Sequence, residues 1–483
     1  MKPQVAHPPA PRDVAPTPAI RSGVWLRLSE RRLLLAAIDL IVIAASLTAV
    51  LAHRFRRPLL EILEQGRLSW YLVLILTYLA AAFVFDTYNL RRASDVRRGV
   101  PAAAGSALLA IGIYLLIPYV TPPLPPSRSA LLIFVAAVAG SVTLWRTLYA
   151  LVLVAPALRK RVLIVGGGWA GETIGAAIRD YAAREYELVG FVDDAPQKQG
   201  ALVAGARVLG TGSDLGQLVP ETGASEIVVA ITDASRIAAP TLQAIMDCRE
   251  RGLQVTAMAT AYERLTGRVP VEHTGRNLYA VLPIDPDPLR FVQLVKRAID
   301  LLIGAAGVAA TVILLPFVWV AGALEGGRGV FYTQVRVGRG GRPFRFIKFR
   351  TMIRDAEPHG PRWAAEDDRR VTLVGRILRR LHLDEIPQAI NILKGDLSFV
   401  GPRPERPEFV EQLAAQIPFY RIRHAVQPGV TGWAQVNYKY GASVEDALLK
   451  LQYDLYYIKH QSLWLDFVIV MKTIPLVLMM RGR

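Results

Sequence analysis

Two adjacent carboxylates, Asp384 and Glu385, stand directly before Ile386-Pro387-Gln388 in a segment that ends at Lys394-Gly395. An early proline suits the first turn of a short helix and a glycine its end, so Asp384 falls at a helix N-terminus. Free backbone N–H groups there favour anions, which lets a diphosphate approach a carboxylate, the more so when a divalent cation screens the repulsion. Out of context the pair reads as an N-cap with a solvated neighbour. The cations around it change that reading. Lys348 and Arg350 lie on an alternating, strand-like segment and are expected on one face. Arg376 precedes the pair, and Arg403, Arg421 and Arg423 follow it among rigid Pro-Gly turns, Gly401-Pro402-Arg403-Pro404 and Pro428-Gly429. Guanidinium binds phosphate oxygens bidentately, so these six are candidates to grip a diphosphate, with Asp396 shaping the site. A solvated surface is the competing fate of Arg421 and Arg423. His424 is left out of the catalytic set, because a lone histidine among aromatics and cations is more often structural.

The elements that must carry these residues are read from hydropathy. The 483-residue chain is 52% hydrophobic, carries a net charge of +17 and has a mean hydropathy of +0.30, which points to a membrane enzyme of several domains. Clustered Arg and Lys suit nucleic acid, an anionic membrane or phosphorylated substrates alike. Cys248 is the single cysteine, which excludes an internal disulfide or a thiolate metal site within one chain. Residues 1–28, rich in Pro, Ala and Arg, read as a disordered cytoplasmic tail rather than a signal peptide. Four apolar stretches, Leu33–Ala52, Leu68–Phe85, Pro101–Val120 and Ala130–Val154, predict a transmembrane region over 29–155. Arginine-rich flanks place both ends of this region in the cytoplasm, although the Arg54–Arg67 loop, with four arginines, opposes that. A fifth stretch, about 299–324, contains Pro316 and has basic residues on both sides. A helix broken at Pro316 that re-enters the same leaflet fits these flanks, with a kinked span as the alternative. The C-terminal stretch Leu463–Met480 is interrupted by Asp466, Lys472 and Pro475 and reads as interfacial.

Between these regions, Arg161–Val165 enters Gly166-Gly167-Gly168-Trp169-Ala170-Gly171 and then a helix, and a second strand ends at Asp193. This is the order of a dinucleotide-binding unit, so 160–265 is expected to be a parallel α/β Rossmann-like domain with Gly166, Gly168, Gly171 and Asp193 as its possible nucleotide loop. A fused NAD-dependent dehydratase or epimerase would need Tyr-x-x-x-Lys, whereas Tyr181 is followed by Glu185 and Tyr262 by Thr266 at that spacing. Binding or regulation is expected there, with no redox cofactor and the nucleotide left open.

The strings Lys348-Phe349-Arg350-Thr351-Met352, Leu383–Gln388, Leu393–Glu405 and Pro428–Asn437, with the late Tyr453–Asp466, closely resemble the bacterial sugar transferase family, the polyprenyl-phosphate hexose-1-phosphate transferases. The layout is similar to the family's long form. That resemblance implies a membrane α-helical bundle, a Rossmann-like domain, a linker over 266–292, and a monotopic α/β catalytic domain over 293–483 with a re-entrant membrane helix. It further implies that Asp384 attacks the sugar-bearing phosphate of a UDP-hexose and expels UMP, and that Glu385 helps hold Mg²⁺. Undecaprenyl phosphate would then take the phosphosugar, at the cytoplasmic face of the bacterial inner membrane, as the first membrane step of exopolysaccharide or capsule biosynthesis. UDP-glucose is the prior for the sugar, a homodimer is expected, and nucleic acid is not a partner. Relatives often place Ser before the helix-breaking proline, whereas this chain has Leu315-Pro316. The rival readings are a glycosyltransferase, which would release UDP, and a non-enzymatic membrane scaffold.

Overall fold

The computed structural model describes residues 28–56, 68–123, 127–153, 159–183, 185–273, 290–325, 329–353, 370–438 and 443–478. The expected N-terminal tail and most of the Arg54–Arg67 loop and of the 266–292 linker lie outside them. The chain divides into two compact units, one built on Lys160–Arg179 and Tyr186–Met258, the other on Arg27–Arg159, Asp180–Glu185 and Ala259–Arg483.

The larger unit begins with four apolar helices, α1 (Leu28–Phe55), α2 (Leu68–Val84), α3 (Val96–Leu116) and α4 (Arg128–Leu148). Within hydrocarbon a backbone can satisfy its polar groups only internally, so such runs coil. Among the described residues Leu34–Phe55, Val96–Leu116 and Arg128–Val152 are long and apolar enough to cross a membrane, as is Val292–Leu324 further on. The expected second span is shorter: α2 has 17 residues, about 26 Å at 1.5 Å per residue. The third begins earlier than its hydropathy suggests, because Asp95 caps it by accepting from the Arg97 N–H. Small residues, Ala81 and Ala82 on α2 with Ala103, Ala107 and Ala110 on α3, form the tightly packed core and let the backbones approach. A buried ion pair lies among these helices. Arg146 on α4 donates from Nε and Nη2 to Asp39 on α1 at 3.0 and 2.6 Å, and the Tyr78 hydroxyl donates to the same carboxylate.

The smaller unit is a six-stranded sheet. Its strands are β1 (Lys160–Val165), β2 (Tyr186–Val192), β3 (Leu202–Val203), β4 (Ala206–Gly210), β5 (Glu226–Val229) and β6 (Gln254–Ala257), in spatial order β3-β4-β2-β1-β5-β6. All neighbours are parallel except β3 and β4. The order reverses between β1 and β5, the point at which a doubly wound sheet opens a crevice. Helix α5 (Trp169–Ala182) follows the glycine loop, and a Cβ at Gly171 would overlap the Gly166 carbonyl, so only glycine fits there. Helices α6 (Leu215–Thr222) and α7 (Ala239–Glu250) complete the layers, and α8 (Met258–Thr266) leads out of the sheet.

The remainder of the larger unit is organised around α9 (Arg290–Leu324), a 35-residue helix. It continues through Pro316, so the proline does not end the helix as expected from sequence. A single missing N–H removes one hydrogen bond, and the flanking turns keep theirs. At its polar start, Lys296 bonds the Val400 carbonyl and Asp466, Arg297 bonds the carbonyls of Ile392 and Leu393, and Asp300 accepts from Ser398 and Phe399. Two of the basic residues that looked like a membrane flank are therefore internal ties. The hairpin β7 (Phe331–Val337) and β8 (Pro343–Phe349) follows, then α10 (Leu373–Arg380), a 3₁₀ turn over Leu383–Gln388, α11 (Ala389–Lys394), β9 (Ser398–Val400), α12 (Pro407–Gln416), β10 (Gly429–Thr431), α13 (Val444–Lys459) and α14 (Leu463–Leu478). Strands β9 and β10 pair in parallel. At 16 residues, α14 is about 24 Å long and short for a ~30 Å core. The polar residues that interrupt it face partners: Asp466 meets Lys296, Lys472 meets Asn437, and Thr473 meets Thr431. Its Trp464 and Phe467 pack on Phe83 of α2 with ring centroids 5.5 and 5.4 Å away.

Candidate active site

Asp384 and Glu385 open the 3₁₀ turn, which passes directly into α11 and ends at Gly395 with φ +86°. The segment is helical and ends where the sequence indicates, but its first six residues wind more tightly than an α-helix. His382, at φ +55°, turns the chain between α10 and the carboxylates. Such a conformation is costly for a residue with a Cβ and marks an over-determined corner.

The two carboxylates have different surroundings. Asp384 is 7% exposed and accepts no hydrogen bond among the described residues. Burial raises its pKa, as does the Glu385 charge, while Lys348, Arg379 and Arg403 act to lower it, and the net direction is upward. Burial also acts to raise Glu385, yet Arg403, Lys348 and His382 together outweigh it and leave this carboxyl below its usual range. The Arg403 guanidinium donates to Glu385 Oε1 at 2.8 Å. Lys348 lies over the Tyr332 ring, its cross-strand neighbour in the β7–β8 hairpin, 5.5 Å from the centroid. Burial pulls its pKa down against the opposing pull of Asp384.

The turn that presents Arg403 is pinned at successive backbone groups. Gly401 N–H donates to Thr431, Pro402 C=O accepts from Gly429, Arg403 C=O from Arg423, Pro404 C=O from Arg336, and Glu405 C=O from Val337. The two prolines fix φ and offer no N–H of their own. A Cβ on Gly401 or Gly429 would overlap the other's backbone, which explains why glycines face each other there.

Of the six cations expected to converge, Lys348 and Arg403 act directly on the pair. Arg423 is buried, bonded to Asp454 at 2.8 Å and to the Tyr420 hydroxyl at 2.6 Å, so its guanidinium faces internal partners rather than an open phosphate surface. Arg421 is exposed and neighbours His424, which burial together with Arg423 and Arg421 holds near pKa 4, neutral around pH 7. Arg350 lies just past the end of β8, its N–H bonded to the Val330 carbonyl. Arg376 is exposed on the outer side of α10, and Arg379 takes the inner position, bonding Thr351 at 2.9 Å and acting on Asp384. Sequence reasoning missed Arg379: in the structure Gly375 and Leu378 are the buried positions of α10, and at about 100° per residue Arg379 lies nearer to that side than Arg376. Asp396 accepts from Asn391, which in turn bonds Ile347 N–H and the Arg345 carbonyl. It braces β8 instead of lining the pair.

Among the described residues no group of three or more His, Cys, Asp or Glu side chains could hold a metal ion unaided. Two adjacent carboxylates nevertheless fit Mg²⁺, which takes one or two carboxylates and completes its shell with water and substrate phosphates.

In the smaller unit Asp193 accepts from Gly167 N–H at 2.8 Å, from Ala195 N–H and from Lys198. Burial would raise its pKa, but these bonds lower it. The carboxylate thus sits on the glycine loop itself, at Gly167. Of the late aromatic residues, Tyr453 and Tyr457 are buried and Trp433 stacks on Tyr456, while Trp464 is exposed.

Comparison with known proteins supplies the family. The model for bacterial sugar transferases matches residues 291–480, and one described as a CoA-binding domain matches 83–239. A UDP-N-acetylgalactosamine-undecaprenyl-phosphate N-acetylgalactosaminephosphotransferase of Aeromonas hydrophila is 44% identical over 216 residues, covering 45% of this chain and 50% of that protein. An undecaprenyl-phosphate glucose phosphotransferase of Komagataeibacter xylinus is 33% identical over 327 residues, 66% of this chain and 59% of the relative. The chain therefore spans little more than half the length of these two. A UDP-glucose:undecaprenyl-phosphate glucose-1-phosphate transferase of Caulobacter vibrioides is 39% identical over 200 residues, 41% of this chain and 75% of the relative. With the Asp-Glu pair and its arginine turn inside the matched region, the chain belongs to the bacterial sugar transferase family.

Proposed function

We propose that this protein transfers a hexose 1-phosphate from a UDP-sugar to undecaprenyl phosphate, with Asp384 as nucleophile. The observation that carries this reading is the asymmetry of the pair: a buried carboxylate that accepts no hydrogen bond among the described residues, beside one bonded to Arg403. An Asp384 oxygen attacks the sugar-bearing phosphorus, the anhydride bond between the two phosphates breaks, and UMP leaves with the bridging oxygen. An oxygen of the polyprenyl phosphate then attacks the same phosphorus, which releases the carboxylate and forms the diphosphate-linked sugar. An acyl phosphate is reactive enough for this second step. Lys348, Arg379 and Arg403 offset the charge that accumulates as phosphate oxygens approach Asp384. Glu385 would help hold Mg²⁺, which when bound neutralises phosphate charge.

The placement of α9 supports a monotopic catalytic region. From Asp300 to Val318, about 27 Å of helix, one side is covered by the same set of catalytic elements: Gly304 faces Leu393, Gly307 faces Ala389, and Leu314, Leu315 and Val318 pack with Phe349 and Leu378. Other positions, including Leu302, Ile313, Phe317 and Leu324, are exposed and apolar. A full crossing would draw those polar elements through the hydrocarbon, so a helix bent at Pro316 within one leaflet, on the cytoplasmic face of the inner membrane, is the favoured arrangement. The named relatives act on glucose and on N-acetylgalactosamine donors, and UDP-glucose is the donor to try first. Homodimerisation is part of this proposal.

The test supplies purified protein with a panel of UDP-sugars, Mg²⁺ and undecaprenyl phosphate and identifies the released nucleotide. UMP from the wild type and none from Asp384→Asn supports the reading. UDP would replace it with glycosyl transfer, and silence across the panel with a scaffold.

A further inference from the structure

The buried Asp454–Arg423 pair reaches the site through one backbone atom. Asp454 on α13 is 1% exposed, and Arg423 Nη2 lies 2.8 Å from its carboxylate. The same Nη2 donates to the Arg403 carbonyl at 3.0 Å, and the Arg403 side chain is the group that bonds Glu385. We infer that Asp454 and Arg423 are positioning residues for the transfer reaction, acting through Arg403 to fix the Glu385 carboxylate beside Asp384. The inference rests on the transfer reading above.

The covalent structure of the turn makes that one carbonyl decisive. Pro402 and Pro404 fix φ on either side of Arg403 and supply no N–H to anchor it. The freedom that is left lies in the peptide planes around Arg403, and rotation of the plane that carries its carbonyl swings the guanidinium relative to Glu385. Arg423 holds that carbonyl, and Asp454 holds Arg423 from the other side. A buried ion pair adds little net stability compared with well-packed apolar residues, so orientation of the turn is the contribution specific to this one. Asp454 lies 31 residues further along the chain, which is why the sequence offers Arg423 to phosphate binding.

A double-mutant cycle on the full chain tests this. UMP release per folded protein is measured, with donor and Mg²⁺ concentrations varied, for wild type, Asp454→Asn, Arg403→Ala and the double variant. Asp454→Asn keeps the side-chain shape in case Asp454→Ala does not fold. Ser443→Ala, which removes the N-cap of the same α13, is the stability control. The expected losses in kcat are about tenfold for Asp454→Asn and about a hundredfold for Arg403→Ala, with the double variant no worse than Arg403→Ala alone and Ser443→Ala turning over like wild type. Losses that multiply in the double variant, wild-type turnover by Asp454→Asn, or an equal loss in Ser443→Ala would each overturn the positioning role. Absence of UMP from the wild type would instead remove the transfer reading itself, and the inference with it.

Discussion

Glu385 receives a 2.8 Å charge-assisted bond from Arg403, while its sequence neighbour Asp384 accepts none among the described residues. One carboxylate is thereby fixed in orientation and kept ionised, and the other keeps its lone pairs available. Two identical functional groups acquire different roles from their surroundings.

Metal dependence follows from this division. Glu385→Gln keeps the shape but loses the charge that complements both Arg403 and a divalent cation. It is expected to lower kcat by about a hundredfold and to raise the Mg²⁺ concentration needed for half-maximal rate. Rate against free Mg²⁺, with a chelator control, measures both. An unchanged Mg²⁺ requirement would remove Glu385 from metal binding.

The pH profile reports Asp384. Attack needs the ionised carboxylate, and its pKa is raised by burial and by Glu385. Activity is therefore fully present above that raised pKa and is lost as pH falls through it, so the acid limb of kcat/KM lies above the usual aspartate range. Lys348 is among the groups that lower this pKa. Lys348→Met is expected to move the limb to higher pH, and a limb that stays put or moves down would contradict the electrostatic assignment.

Asp39→Ala tests the membrane bundle separately from the chemistry. It leaves the Arg146 guanidinium buried without its carboxylate, and removal of one partner of such a pair costs about 3–5 kcal/mol. Thermal unfolding in detergent should occur at clearly lower temperature, with UMP release per folded chain retained. An unchanged midpoint would mean that lipid or water compensates Arg146.

Legibility in the sequence followed the range of the interactions. The glycine loop, the sheet alternation and the helix end at Gly395 are set by neighbours a few residues apart, and their patterns are visible. Pro316 announced a break that the helix absorbed as an interior residue, since flanking turns decide between bending and stopping. Lys296, Arg297 and Arg423 carried charges that the sequence assigned to lipid or phosphate. Partners roughly a hundred residues away along the chain for the first two, and Asp454 for the third, turned them inward. Arg379 and Arg376 differ only in which side of α10 packs on Phe349, a contact that composition cannot rank. Asp39 and Arg146, each inside an apolar run, gave no local sign of one another.

The most direct measurement is the mass of the protein after brief exposure to UDP-sugar and Mg²⁺ without undecaprenyl phosphate. A covalent mechanism predicts one hexose phosphate on the peptide containing Asp384, a burst of UMP matching the enzyme present, and loss of both in Asp384→Asn. Transfer that proceeds normally once the acceptor is added, with no adduct and no burst beforehand, would contradict a covalent role for Asp384 and leave direct displacement between the two substrates.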